Sequence, residues 1–507
     1  MNDELVFAPY NATLSNPGVT VQTGPSFLDT TISSTSRPVI GVPPISNTFS
    51  GNWSNLYNSS TGSNFGFGID PNLRTPYVHQ WNLALQRELG WNTSLTVSYV
   101  GNKGSKLYRA IDLNQLMING NGFLGAFNTL RNNGFLALAA NKGFNPNYDS
   151  TIPGSQQVSY FDKPNFAFGD LAQYGFGPII DQYLEQGAVG ELANLYHSTA
   201  SDAPEFGAIV QLAQNSHLEA ADLLENYSTS LYHAGSVEIR RRSAKGLSFQ
   251  ANYTFSRVMT DYSGDTSDRF AALLDNGNPG LEWARANFDL THALKGNFSY
   301  EFPIGKGHGW SPSNAALNQL VSNWKVSSIM GWQSGAPFSI LSGLGTLNRN
   351  ARSSSTNTAS TTSTVQQIAG QLGNFHGPNG KILLINPSYI GSDGRGVPDF
   401  AMTCTPLVAG GFCNPDPGTA GNLSRNAFNA PSFFNWDLSI LKHFPISESK
   451  DLVYRVDMFN AFNHPTFAVG NASTGTPDMN INDTNFGVAT STASASRVIQ
   501  MGLRFVF

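Results

Sequence analysis

At 507 residues the chain is long enough for more than one globular unit, yet only 12% of it is charged, about half the usual share for soluble domains, while aromatic residues supply 12%. The formal net charge of −5 excludes a basic footprint for nucleic acid, and no apolar run of about 18 residues offers a membrane helix. The abundance of Phe, Tyr, Gly, Asn and Ser favours strands and turns, so a membrane-spanning form of this chain has to be a barrel.

Residues 1–76, rich in Ser, Thr, Asn, Gly and Pro, read as an irregular segment, and the opening MNDELVFAPYNATLSNPG has neither the basic nor the apolar region of a secretory signal. Alternation with a period of two then predicts a strand over 78–89, with Trp81, Leu83 and Leu85 on one face, and a second over 94–101 after a tight turn at Gly90. A long connection, 112–229, follows. Within it, PIIDQYLEQGAVGELANLYH and EFGAIVQLAQNSHLEAADLLENY space apolar residues by three and four, which predicts short helices that either contact a ligand or cap the fold. Strands over 232–242 and 247–257 flank the short turn Ser243–Gly246, and the connection 260–287 is long. Strands over 288–302 and 323–333 come next, then the connection 343–432, a close pair over 434–444 and 452–463, the connection 464–496, and a last strand over 497–507.

Short connections follow the first, third, fifth and seventh strands, and long ones follow the second, fourth, sixth and eighth. Compact soluble domains seldom carry several long structureless loops, whereas a transmembrane barrel has short turns on one rim and long loops on the other. The prediction is all-β: an antiparallel transmembrane β-barrel portion over 77–507, with Trp324, Trp332, Phe302, Phe444, Phe505 and Phe507 near strand ends as interfacial aromatics. A soluble sandwich, burying the same apolar faces, is the rival.

Signals for covalent chemistry are weak. Ser322 and Lys325 match S-x-x-K, but at a strand start positions three apart point to opposite faces, and the partner motifs are missing. Gly305-Lys306-Gly307-His308-Gly309 is a glycine-rich turn with no helix placed to cradle phosphate. Asp261, Asp265 and Asp268 crowd one connection as weak calcium candidates, without EF-hand spacing; a solvated loop is the plainer reading. Arg240, Arg241, Arg242 and Lys245 mark a basic turn. Cys404 and Cys413, the two cysteines, lie close enough for a small disulfide and are otherwise two free thiols. The expectation is a protein that is not an enzyme and that needs no cofactor or structural metal.

The segments TPYVHQWNLALQRELGWNTSLTVSYVGNKGSKL, RRRSAKGLSFQANYTFSRVMTDYSGD, FSYEFPIGKG, NWDLSILKHFPISESKDLVYRVDMFNAFNHPTF and RVIQMGLRFVF together resemble the C-terminal barrel half of TonB-dependent receptors, the Oar-like branch in particular. The resemblance spans about residues 75–507. It implies a cell outer-membrane location, a barrel of 22 strands of which about nine are present, and energy-coupled uptake of a solute such as a siderophore, oligosaccharide or peptide. Its implied partners are outer-membrane lipid, the inner-membrane TonB complex through an N-terminal part not found in this sequence, the barrel assembly machinery and the unknown solute. Leu503, Phe505 and Phe507 are similar to the terminal assembly signal of such barrels. Lys295, Lys325, Arg455, Asp457 and Arg504 fall on polar faces and are candidates for solute contact or for a structural charge ladder in the lumen. A barrel-anchored adhesin and a passive porin are the alternative functions.

Overall fold

The computed structural model describes residues 65–158, 177–202, 212–215, 218, 220–262, 272–305, 308, 310–348, 357–447, 450–469 and 479–507. Nine long strands run β1 Tyr77–Gly90, β2 Thr93–Asp112, β3 Ala220–Ala244, β4 Leu247–Thr260, β5 His292–Glu301, β6 Trp324–Gln333, β7 Phe433–Ser447, β8 Lys450–Phe459 and β9 Val498–Val506. Each is antiparallel to its neighbour in sequence, so they form a meander whose order in space is the order in the chain. Among the described residues the sheet ends at β1 on one edge and β9 on the other, and these two do not pair.

The short rim is made by hairpins whose residues suit it. Trp91 and Asn92 join β1 to β2 with φ of 48° and 56°, and Lys245 and Gly246 join β3 to β4 with φ of 51° and 81°. Two consecutive left-handed residues make the turn whose twist matches that of paired strands. This fixes register, and register fixes which side chains share a face.

One face is apolar and exposed. Leu83 and Leu85 on β1, Val97 on β2, Val237 on β3, Tyr253 and Phe255 on β4, and Ile499, Met501, Leu503 and Phe505 on β9 all lie on it and are open to the surroundings. So large an open apolar surface cannot face water in a stable monomer, and a soluble sandwich would have covered it. The opposite face is polar and concave.

Strand ends differ most from those predicted in one region, and β5 also starts at His292 rather than 288 and β8 stops at Phe459 rather than 463. β2 runs on to Asp112 and β3 starts at Ala220, well before Tyr232, because the two continue as a ladder beyond the apolar band, through irregularities at Gly104 and Leu107, where neither face keeps a clean alternation. Phe65–Ile69, inside the segment read as irregular, pairs in parallel with residues 220–224.

The long connections are folded more extensively than the short helices expected within 112–229, and of the second stretch read as helical, residues 220–227 instead open β3 by pairing with β2. Helices α1 Phe123–Ala139, α2 Gly177–Gln186 and α3 Val189–Asp202 bury Phe123, Phe127, Leu130, Ile180, Leu184, Leu192 and Tyr196 in a core of their own. The connections 334–432 and 460–497 share a second core of Phe338, Ile340, Leu384, Ile385, Phe412, Phe428, Met479 and Phe486, stitched by strands of two to five residues. Together they make a cap on the rim opposite the hairpins.

Candidate functional site

The concave face is built from register. Ser248, Ser299, Ser327, Ser439, Asp457 and Gln500 fall in one row across β4 to β9, and Ser327 donates to Ser299 at 3.1 Å between hydroxyl oxygens. The next row toward the hairpin rim holds Glu301, Lys325, Leu441, Arg455 and Gly502. Lys325 Nζ lies 3.0 Å from Glu301 Oε1, and Arg455 Nε donates to Asp457 Oδ1 at 2.9 Å. Of these, Glu301, Lys325, Ser327, Ser439, Arg455 and Asp457 line a cavity of about 1450 Å³ together with Asn297, Asp437 and His443, and with the apolar Ile329, Leu441 and Phe459. The His443 ring meets the Asp451 carboxylate at 2.5 Å. A surface of alternating cation, anion and hydroxyl with a few greasy patches is suited to holding a polar solute or a polar protein surface.

Of the five charges singled out in the sequence, the fold therefore pairs Lys325 with Glu301 and Arg455 with Asp457. Lys295 and Arg504 have no ion pair among the described residues; Arg504 stands opposite Val453, so register keeps it from Asp457, which opposes Gln500. Ser322 and Lys325 are apart in role as in direction. Ser322 is buried at the end of a short helix, Ala315–Val321, where its carbonyl and that of Gln319 accept from Lys442 Nζ. Lys442 itself sits on the outward face of β7, over the rings of Trp324 and Phe444 at 5.4 and 4.9 Å, a cation folded back from the apolar band onto open helix carbonyls.

A second constellation joins the cap to the strands. Glu282 is buried, 3.6 Å from Arg109 Nη2 and 3.3 Å from Arg425 Nη1, and its other oxygen accepts the Leu274 amide at 2.9 Å. Arg109 also donates to the Asp261 carbonyl at 2.5 Å, and Arg425 to the Glu282 carbonyl at 2.5 Å. The three side chains come from β2, the connection 261–291 and the connection 334–432. Sequence reasoning missed them because nothing local marks an Arg or Glu that finds its partner more than a hundred residues away.

The Asp261 carboxylate accepts the Thr229 amide at 3.1 and 3.2 Å, and burial holds its carboxyl above the ordinary range. Asp265 and Asp268 lie outside the described residues, and among the described residues no cluster of His, Cys, Asp and Glu suits a metal. Cys404 and Cys413 are joined as a disulfide, Cα atoms 5.9 Å apart, beside the buried Phe412. Leu503 and Phe505 lie on the outward face of edge strand β9, and Phe507 extends past it with its ring stacked on Phe505.

Comparison with known proteins adds the following. The family described as outer membrane beta barrel domain matches residues 5–500. Among solved structures, the outer membrane transporter YddB from Escherichia coli is similar at 10% identity with a TM-score of 0.36, over 88% of this chain and 34% of that one. The ferripyoverdine receptor of the outer membrane of Pseudomonas aeruginosa gives 10% identity and 0.29, over 86% and 28%, and the ferric-catecholate import receptor Fiu from E. coli K12 gives 10% and 0.22, over 85% and 43%. The chain thus spans less than half the length of these structures. No curated protein matches it.

Proposed function

Because the chain belongs to the family of outer membrane beta barrel domains and so lies in the outer membrane, we propose that it is part of the wall and outer rim of a TonB-dependent receptor that takes up a scarce solute. The hairpin rim faces the periplasm and the cap faces outside, as strand connections in such barrels do. The observation that carries the reading is the pairing of a polar, concave face with a folded cap braced to its mouth through Glu282. An adhesin needs outer loops but no shaped lumen, and a passive porin needs a lumen but no braced cap.

Two measurements test it. Cysteine placed at Asp399, whose side chain is 95% exposed in the cap, should react with a membrane-impermeant maleimide on intact cells, whereas one at Trp91, 86% exposed on the hairpin rim, should react only after the outer membrane is opened. Reversed labelling would invert the orientation. Cells should accumulate a labelled siderophore, oligosaccharide or peptide from a panel only when both this protein and the TonB complex are present. Uptake indifferent to the complex would make the protein a porin, and cell attachment without uptake of any panel member would make it an adhesin.

A further inference from the structure

On the outward face, at the cap-side edge of the apolar band, one arrangement occurs twice. Tyr99 on β2 and His233 on β3 meet with the phenol oxygen 2.7 Å from Nδ1 and their rings stacked at 6.1 Å and 19°. Tyr253 on β4 and His292 on β5 repeat it at 2.7 Å, 6.2 Å and 27°. In each case the tyrosine's register partner is two residues along from the histidine, Gly235 for Tyr99 and Leu294 for Tyr253, which sets both imidazoles one step nearer the cap. Both phenols are also open to similar degrees, 39% and 38%. Recurrence of the same atoms, distances and offset on two strand pairs marks a constructed feature rather than a chance contact.

The imidazoles are half satisfied. All their polar side-chain contacts run through Nδ1, so among the described residues each Nε2 has no hydrogen-bond partner. A phenol donating to Nδ1 leaves the ring proton on Nε2, and protonation of the ring keeps it there, so Nε2–H is a donor in both states. Along β5, His292 and Tyr300 are the ends of the outward row and lie about 26 Å apart at ~3.3 Å per residue, or about 20 Å along the membrane normal at a tilt of ~40°, which sets His292 toward the cap-side end of an apolar band ~25 Å tall. Hydrocarbon offers this donor nothing, and leaving it unmet is costly. The acceptors available at that depth are headgroup oxygens. Lys103, exposed on the same face opposite Leu231 and next in that row to His233, adds positive charge toward the cap.

We propose that the two Tyr–His pairs are seats for the phosphate of a lipid headgroup in the leaflet beneath the cap. The phenol orients the ring, Nε2–H donates to a phosphate oxygen, and Lys103 favours an anionic over a zwitterionic lipid at the first seat.

The test uses the full-length protein in nanodiscs of digalactosyldiacylglycerol, a matrix without phosphate, doped with dioleoylphosphatidic acid, with retained lipid counted by native mass spectrometry after mild detergent exchange. Phosphatidic acid should be retained at least threefold above its share of the bilayer. Replacing both His233→Phe and His292→Phe keeps aromatic area and should return retention to the bulk share, while His233→Gln with His292→Gln restores a side-chain N–H donor and should recover most of the enrichment. Equimolar inorganic phosphate should not displace the lipid. The proposal falls if the wild-type protein shows no enrichment, if the phenylalanine variant keeps it, or if inorganic phosphate removes it.

Discussion

Glu282 shows how much one side chain can hold together. Two guanidinium groups converge on its carboxylate in a dry setting, and removing one partner of a buried ionic group strands the others. Glu282→Gln should therefore loosen the cap by roughly 3–5 kcal/mol while leaving the strands intact. The check is limited proteolysis of the cap alongside heat-modifiable migration of the barrel; cap resistance equal to wild type would show that Arg109 and Arg425 are held by other means. Asp181 on α2 gives a prediction with a pH signature. Burial, with Glu185 nearby, raises its carboxyl above the ordinary 3.8. A carboxyl raised in the folded state favours folding below its unfolded value and loses that contribution as pH rises through the folded one. Asp181→Asn should accordingly stabilise the cap at pH 7 and make no difference near pH 3, read from cap unfolding at both.

At the scale of elements, the long strands were legible and the cap was not. Lipid and lumen impose a period of two on every spanning strand, so Leu83 and Leu85, or Leu503 and Phe505, announce their face without knowledge of their neighbours. The second cap core is gathered from Phe338, Phe412, Phe428 and Phe486, single residues on strands of two residues or on none, and no periodicity can be read from such pieces. Of the helices within 112–229, α2 and α3 were readable because their turns show a 3.6-residue rhythm, whereas α1 was not read, and AADLLENY, spaced like a helix, opens β3 because it pairs with β2. In the candidate site, pairing of Lys325 with Glu301 follows from register alone, whereas Arg109, Glu282 and Arg425 follow from tertiary folding of loops. The disulfide closes a separation of nine residues beside Phe412, so replacing both Cys404 and Cys413 by Ser should cost the second core roughly 2–3 kcal/mol. Increased protease cutting near residue 404, with unchanged cutting at α1, would be the expected pattern, and equal cutting everywhere would mean the bond is dispensable.

For the whole molecule, we propose that the terminal strand acts chiefly during assembly. Phe507 is 90% exposed and stacked on Phe505 at the end of the outward apolar row. An aromatic at the bilayer edge contributes about 2 kcal/mol, too little to unfold a finished barrel. Its deletion should nonetheless lower the yield of folded protein in outer-membrane fractions and raise the amount degraded in the periplasm; unchanged folded yield would remove the assembly role. The shared cores of the cap carry a different lesson, about descent. Long surface loops ordinarily lengthen, shorten and trade places between relatives at little cost. Here the connections 334–432 and 460–497 interdigitate, and Arg425 ties the first of them to a third connection. No one of them can change length without unsettling the others, so in a lineage these loops should vary as a block, and a graft that alters what the rim recognises would have to carry all three at once.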